Sequence, residues 1–543
     1  MKRYTIIISI LAGISIFLSP SMKACNAKAT APSCTLDYFT SLGKELNTTF
    51  TDATLIAASA PNPEYCLVHG KIYGRIGIEV SLPDKAKWNY KFLETGNGGF
   101  AGSFQHYFPI FSQAPSAVYL GYVLAETDTG HQNPNLFDGS WALNNPTAVE
   151  DFHYLAVHET AMVTKGIISH YYGRGPQYSY FAGCSTGGRQ AMESSQRYPD
   201  DFDGIISGAP AYKLTGAGMG FVWNEQLEYP GFTSTGEYPD FTSTDAAATP
   251  TVPNSLLPVL QNAINAECGA ADGFVDDPPS CTFNPATLLC SKDQNPATCL
   301  SAAQLAMVER VYGGPKTGTG TSLWFGFAMS GVEAYPGLVA MGAWPEWIAD
   351  ATYLKYPTFF GIPNAEYGFS RDMMRYLVFG DPNWQIDYFD WDGDYLMVNT
   401  NLGPDNADNT NLAPFKAHKA KLLQFQGWAD YALTPYGTID YYEKVVKKMG
   451  QNKVDSFYRL FMVPGMCHCM DGYGPVWTDW LAVIEQWVEH GVAPDSIMAA
   501  GTSPLDSKPM ERPLCPYPEK AEYNGANKGC TADRHNAACF TCQ

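Results

Sequence analysis

The chain has 543 residues, a formal net charge of −20 and only 16% charged residues. That balance excludes nucleic acid and an anionic membrane surface as natural partners, while local charge still permits a small anionic substrate. Fourteen cysteines and 14% aromatic residues predict an oxidising compartment, a large core and an aromatic-rich cleft.

Lys2 and Arg3 precede an apolar run from Tyr4 to Leu18, and small or turn residues follow to Ala24. The run is shorter than the roughly 20 residues of a membrane-spanning helix, so residues 1–24 are predicted to be a secretory signal peptide. Lys23, two residues before Cys25, fits a lipidation site poorly. Length alone allows two or more domains.

Lys91-Phe92-Leu93 predicts a strand, followed by the glycine-rich loop Gly96-Asn97-Gly98-Gly99-Phe100. Ala117 to Ala125 predicts a second strand and Asp151 to Ser169 a helix. Tyr178 to Ala182 predicts a buried strand, Arg189 to Arg197 a helix stopped by Tyr198-Pro199, and Phe202 to Ser207 another strand. Strand, loop, helix and strand in this order are the rhythm of a parallel α/β sheet. From Ala211 the composition shifts to Gly, Pro, Thr, Asn and aromatics, which predicts an inserted second domain over 212–412 between core segments 25–211 and 413–543. The α/β rhythm returns with a strand over Lys421 to Gln426, a helix over Thr438 to Met449, a strand over Phe457 to Met462 and a final helix over Trp477 to His490.

Gly183-Cys184-Ser185-Thr186-Gly187 satisfies the G-x-S-x-G pattern between a predicted strand and a predicted helix. A serine hydroxyl needs an adjacent base to act as a nucleophile, and a tight strand-to-helix turn presents it. Alone, the pentapeptide is also compatible with a structural turn. In this architecture the acid and base follow on loops after later strands, in the order Ser, Asp, His. Asp430 and His468 occupy those loops. A turn-capping Asp would be the simpler reading of Asp430 by itself, but the three positions together predict a triad. The oxyanion hole is assigned to the N–H groups of Thr186 and Gly98, with Gly99 next to it. Cys184 directly precedes Ser185 and Cys467 directly precedes His468. If these two cysteines pair, they hold the nucleophile and base together.

The motifs Gly96 to Gly102, Gly183 to Gln190, Phe202-Asp203-Gly204-Ile205, Gly427-Trp428-Ala429-Asp430 and Arg512 to Pro518 together resemble the tannase and feruloyl esterase family over the chain from about Cys34 onward. The resemblance implies an α/β-hydrolase core with a large lid, a Cys184–Cys467 disulfide and no organic cofactor. It implies hydrolysis of aromatic-acid esters: feruloyl or other hydroxycinnamoyl esters first, with gallate esters or the terephthalate half-ester as alternatives. The alcohol side could be a plant polysaccharide or polyphenol. It also implies calcium in a lid loop, where Asp272, Asp276 and the Phe274 carbonyl match ligand positions. Gly269 replaces an Asp there and the loop is short, so a vestigial, disulfide-closed loop is an equal reading. Cys34–Cys66, Cys268–Cys281, Cys290–Cys299 and Cys515–Cys542 follow the family, leaving Cys530–Cys539 as a local tail closure and Cys25 and Cys469 unassigned. Trp344, Trp347, Phe359, Phe360, Tyr367, Phe369 and Arg371 are candidate pocket residues, Arg371 as a partner for a substrate carboxylate. Lid core is the simpler reading of any single aromatic. A serine peptidase and a non-catalytic aromatic- or carbohydrate-binding protein remain as readings from other classes.

Overall fold

The computed structural model describes residues 33–231, 249–269, 271–337, 341–351, 362–525, 529–530 and 534–543. The predicted signal peptide and the candidates Phe359 and Phe360 lie outside the described residues.

Nine strands form one sheet: β1 Thr48–Ile56, β2 Tyr65–Ile72, β3 Ile76–Pro83, β4 Lys91–Thr95, β5 Val123–Thr127, β6 Tyr178–Cys184, β7 Gly204–Gly208, β8 Lys421–Gly427 and β9 Tyr458–Val463. Their order is β1-β2-β3-β5-β4-β6-β7-β8-β9. The pairings from β5 through β4 to β9 are parallel. β1, β2, β3 and β5 pair antiparallel.

Successive side chains on a strand face opposite sides, so each central strand feeds two cores. Phe181, Ile205, Leu422 and Leu460 pack beneath the helices Ala156–Tyr172, Thr186–Arg197 and Pro435–Met449. Tyr180, Ile206, Leu423 and Phe461 pack against the helix Trp480–His490. This is an α/β sheet covered on both faces, as an α/β-hydrolase requires.

The strand predicted over 117–125 begins only at Val123. Before it, Gly121 takes φ +84° and Tyr122 N–H bonds back to Ala117, so residues 117 to 122 form a turn that buries Ala117, Val118 and Tyr122 and exposes Tyr119 and Leu120. The helix Thr186–Arg197 starts three residues earlier than predicted, immediately after Ser185, and the last core helix starts at Trp480 rather than Trp477. Between β7 and β8 the described chain contributes no strand to the main sheet. Its helices, among them Leu214–Glu228 and Ala365–Asp372, build a third core around Trp344, Tyr367 and Met374.

Candidate active site

Ser185 sits at the end of β6 with φ +63° and ψ −121°, a strained conformation for a residue with a side chain. Its N–H bonds to Gly208 O at 3.1 Å, and its carbonyl accepts from Ala211 N at 3.0 Å. The turn is close enough that a Cβ on Gly183 would lie 2.3 Å from Gly187 O, so position 183 requires glycine. The following helix begins at Thr186 and points its N-terminus at the serine.

The Gly96–Gly99 loop after β4 is fastened to that same turn. Gly187 N donates to Asn97 O at 2.6 Å, Asn97 N to Gln190 Oε1 at 2.9 Å, and Thr186 Oγ1 to Gly99 O at 2.6 Å. The Gly98 N–H assigned to the oxyanion hole is already bonded to Gln105 Oε1 at 2.5 Å, because the 103–107 loop folds back over it. Gly99, at φ +56°, lines the cavity beside Ser185. Its N–H and that of Thr186 carry no hydrogen bond among the described residues.

Asp430 is 1% exposed, and each carboxylate oxygen is matched. Oδ1 accepts from Ala432 N and Leu433 N, both at 2.9 Å, and Oδ2 accepts from Gln426 Nε2 at 2.8 Å. Oδ2 also faces His468 Nδ1 at 3.0 Å. A buried carboxylate held by four donors orients the imidazole and fixes the proton on Nδ1, leaving Nε2 free of one. Trp347 sets its ring edge-on to His468, with centroids 5.1 Å apart. Ser185 and His468 line one cavity of about 230 Å³ with Tyr107, Phe137, Trp347 and Phe369. A tighter apolar lobe, lined by Phe100, Phe152, Phe221 and Met373, opens on the other side of Ser185, Trp347 and Phe369.

The expected Cys184–Cys467 disulfide is not formed. Cys184 pairs with Cys469, and Cys467 is a buried free thiol. The local backbone explains the choice. Cys469 takes φ +66°, which turns its side chain into the core cluster that holds Cys184. The Cys467 N–H is bonded to Asp471 O and its side chain joins the cluster of the β7–β8 insertion instead. Burial and the nearby carboxylates of Asp430 and Asp471 push the Cys467 thiol well above its ordinary pKa, so it is a poor exchange nucleophile. The other five expected pairs are all formed.

The calcium expectation meets a different obstacle. Asp272 is bonded by the guanidinium groups of both Arg512 and Arg534. Asp276 is bonded by the same two, at 2.7 Å and 3.0 Å. Burial raises the Asp272 carboxyl, but hydrogen bonds from Arg534 and Asp276 and the charges of both guanidinium groups together hold it below its usual range. A Cβ at Gly269 would fall 2.3 Å from Asn265 Oδ1 and 2.8 Å from Phe274 O, so the missing carboxylate has no room. Two guanidinium groups occupy the carboxylates that calcium would need, and this donor set does not fit the ion.

Of the other candidates, Trp347 and Phe369 line the cavity, whereas Trp344 and Tyr367 are buried in the insertion core. Arg371 pairs with its neighbour Asp372 at 2.6 Å and lines neither lobe. Tyr107, Phe137, Phe152 and Phe221 escaped the sequence reading. They come from loops and helices of ordinary aromatic content, and only the glycine-rich turn near Tyr107 marked its surroundings.

The profile of the family described as tannase and feruloyl esterase matches residues 66–539. The chain belongs to the tannase and feruloyl esterase family. It is a carboxylic ester hydrolase. It is 31% identical to a mono(2-hydroxyethyl) terephthalate hydrolase of Piscinibacter sakaiensis over 90% of this chain and 86% of that protein. It is 31% identical to a probable feruloyl esterase of Arthroderma benhamiae over 88% and 84% of the two chains. Among solved structures it resembles feruloyl esterase B from Aspergillus oryzae, with 27% identity and a TM-score of 0.72 over 92% of this chain and 97% of that one. This family esterase carries six disulfides among its described residues, which fits an oxidising compartment. No helix among those residues is long and apolar enough to cross a membrane.

Proposed function

We propose that this esterase is secreted and cleaves esters of aromatic acids, hydroxycinnamoyl esters first, through Ser185, His468 and Asp430. The observation that carries the reading is the shared cavity of Ser185 and His468, with His468 Nδ1 held 3.0 Å from a buried, fully hydrogen-bonded Asp430. His468 removes the Ser185 proton as the hydroxyl attacks the ester carbonyl, and Asp430 stabilises the imidazolium. The oxyanion is held by the N–H groups of Thr186 and Gly99, since Gly98 is committed to Gln105. His468 returns the proton to the leaving alcohol, and water releases the acid by the same path. The β7–β8 insertion serves as the lid, contributing Trp347 and Phe369. No calcium is needed where Arg512 and Arg534 neutralise Asp272 and Asp276.

Aromatic side chains surround Ser185 on both sides, which suits a planar acyl group. Among the described lining residues neither lobe carries Lys or Arg, and this favours an uncharged acyl group over a terephthalate half-ester. The tight lobe offers few polar partners for the three hydroxyls of a gallate. kcat/KM measured on methyl ferulate, methyl gallate and the terephthalate half-ester tests this order. Methyl ferulate is expected to lead, and a half-ester preference would overturn the substrate assignment while leaving the reaction class intact.

A further inference from the structure

The antiparallel edge of the sheet carries a row of ligand-type side chains. His69 on β2 stands opposite Glu79 on β3, and Glu79 stands opposite Glu126 on β5. Directly opposed residues share one face of a sheet. The loop after β4 folds back over this face at His106, which takes φ +54°. Its Nδ1 lies 2.8 Å from Glu126 Oε2 and 3.7 Å from Glu79 Oε1. One ligand atom from each of Glu79, His106 and Glu126 lies within 4.8 Å of the others.

Without a metal ion these groups form an ion pair, and their outer partners also suit coordination. Glu126 is 3% exposed and its Oε1 accepts from Thr95 Oγ1 at 2.7 Å. Its Oε2 is buried and its one close neighbour is His106 Nδ1 at 2.8 Å, a contact that holds the ring protonated up to about 9, so a metal ion would take the place of that proton. The other oxygen of Glu79 is held by His69 Nε2 at 2.8 Å. Both carboxylates are therefore oriented from behind, with one oxygen each turned toward His106, as outer partners orient metal ligands. Zinc bonded at about 2.0–2.1 Å to N and O ligands separates them by roughly 3.3 Å in a tetrahedron. The observed spacings bracket that value, and His106, with a side chain 62% exposed, leaves an open side for water.

We propose that Glu79, His106 and Glu126 form a binding site for one divalent transition-metal ion of the zinc class, outside the catalytic cavity, with water completing the coordination. One imidazole and two carboxylates suit zinc, whereas calcium would require more oxygens. A bound ion joins β3 and β5 to the loop whose next residue, Tyr107, lines the catalytic cavity.

The full chain, stripped with EDTA and dialysed, is titrated with Zn²⁺ against a chromophoric chelator, alongside Glu126→Gln and His106→Ala. Wild type is expected to take up one ion that each variant binds at least about 10-fold more weakly, with unchanged circular dichroism in EDTA. Co²⁺ in place of Zn²⁺ is expected to give a visible ligand-field band that His106→Ala loses. His106 is exposed, so that variant decides the matter if Glu126→Gln fails to fold. Equal Zn²⁺ affinity in wild type and His106→Ala, or no uptake by wild type at millimolar Zn²⁺, would overturn the proposal.

Discussion

Two corners of the molecule tie distant segments together, and they use opposite means. At the active site a covalent bond joins Cys184 to Cys469, 285 residues apart, beside Ser185 and His468. Where the insertion meets the C-terminal tail, Asp272 and Asp276 are clasped by Arg512 and Arg534. The covalent corner is expected to tolerate little movement because its neighbours are the proposed nucleophile and base, and a misplacement of about 1 Å can cost roughly 100-fold in rate. The ionic corner lines neither lobe around Ser185, so its loss is felt as stability instead.

The comparison breaks most completely at the nucleophile. Ser185→Ala is expected to lower kcat on methyl ferulate by at least about 10³-fold with an unchanged melting curve. An unimpaired rate in purified mutant protein would remove the triad. Next in size is the staple. Cys184→Ala with Cys469→Ala is expected to lower kcat by about 10- to 100-fold, with a loss of stability as well, because a closed loop of 285 residues contributes roughly 5–6 kcal/mol in the chain-entropy picture. Cys467→Ala is expected to leave kcat within a few-fold. Equal losses in the two variants would show that proximity to His468, not the bond, matters.

The ionic corner gives a smaller and different signature. Arg534→Met strips Asp272 of one of its two cationic partners and is expected to cost about 2 kcal/mol, read as a lower melting temperature with kcat on methyl ferulate retained. Added Ca²⁺ is expected to leave the wild-type melting temperature unchanged. A calcium-dependent rise in wild-type melting temperature that Asp272→Asn abolishes would contradict the ionic account.

The smallest effect is a pH dependence within the insertion. Burial raises the carboxyl pKa values of Glu225 and Glu366 well above their ordinary range, with repulsion from neighbouring glutamates adding to it. The folded state then holds more protons than the unfolded chain between the two pKa values. Stability is therefore present below the unfolded carboxyl pKa of about 4.3 and falls as pH rises above it. Glu366→Gln is expected to flatten the decline in melting temperature between pH 5 and 8. A wild-type melting temperature that climbs across this interval in step with Glu366→Gln would refute it.

Much of the catalytic half of the fold was legible in the sequence. Alternating apolar runs and glycine turns marked β4, β6, β7, β8 and β9, and the helix after the G-x-S-x-G turn was read from Arg189, three residues late, because Gly187 and Gly188 mask its first turn. The antiparallel edge β1–β3 went unread: its strands carry Thr, Lys, Glu and His on their exposed positions, so they show no continuous apolar run. Ser185, Asp430 and His468, the proposed triad, were singled out because strand order constrains where such residues can stand. Cys469 was missed because two cysteines flank His468, and only the left-handed turn at Cys469 decides which one reaches Cys184. Gly98 was favoured over Gly99 because the Gln105 side chain that occupies its N–H comes from a loop with no sequence mark. The arginine clasp on Asp272 needed the tail brought back from 262 residues away, which no local pattern encodes.

The most direct measurement is peptide mapping of active, unreduced enzyme, alkylated first in the native state and then after denaturation. The account predicts a linked pair of peptides carrying Cys184 and Cys469, cleaved between Cys467 and Cys469 to resolve them, with Cys467 alkylated only after denaturation. A Cys184–Cys467 linkage with Cys469 free would contradict it.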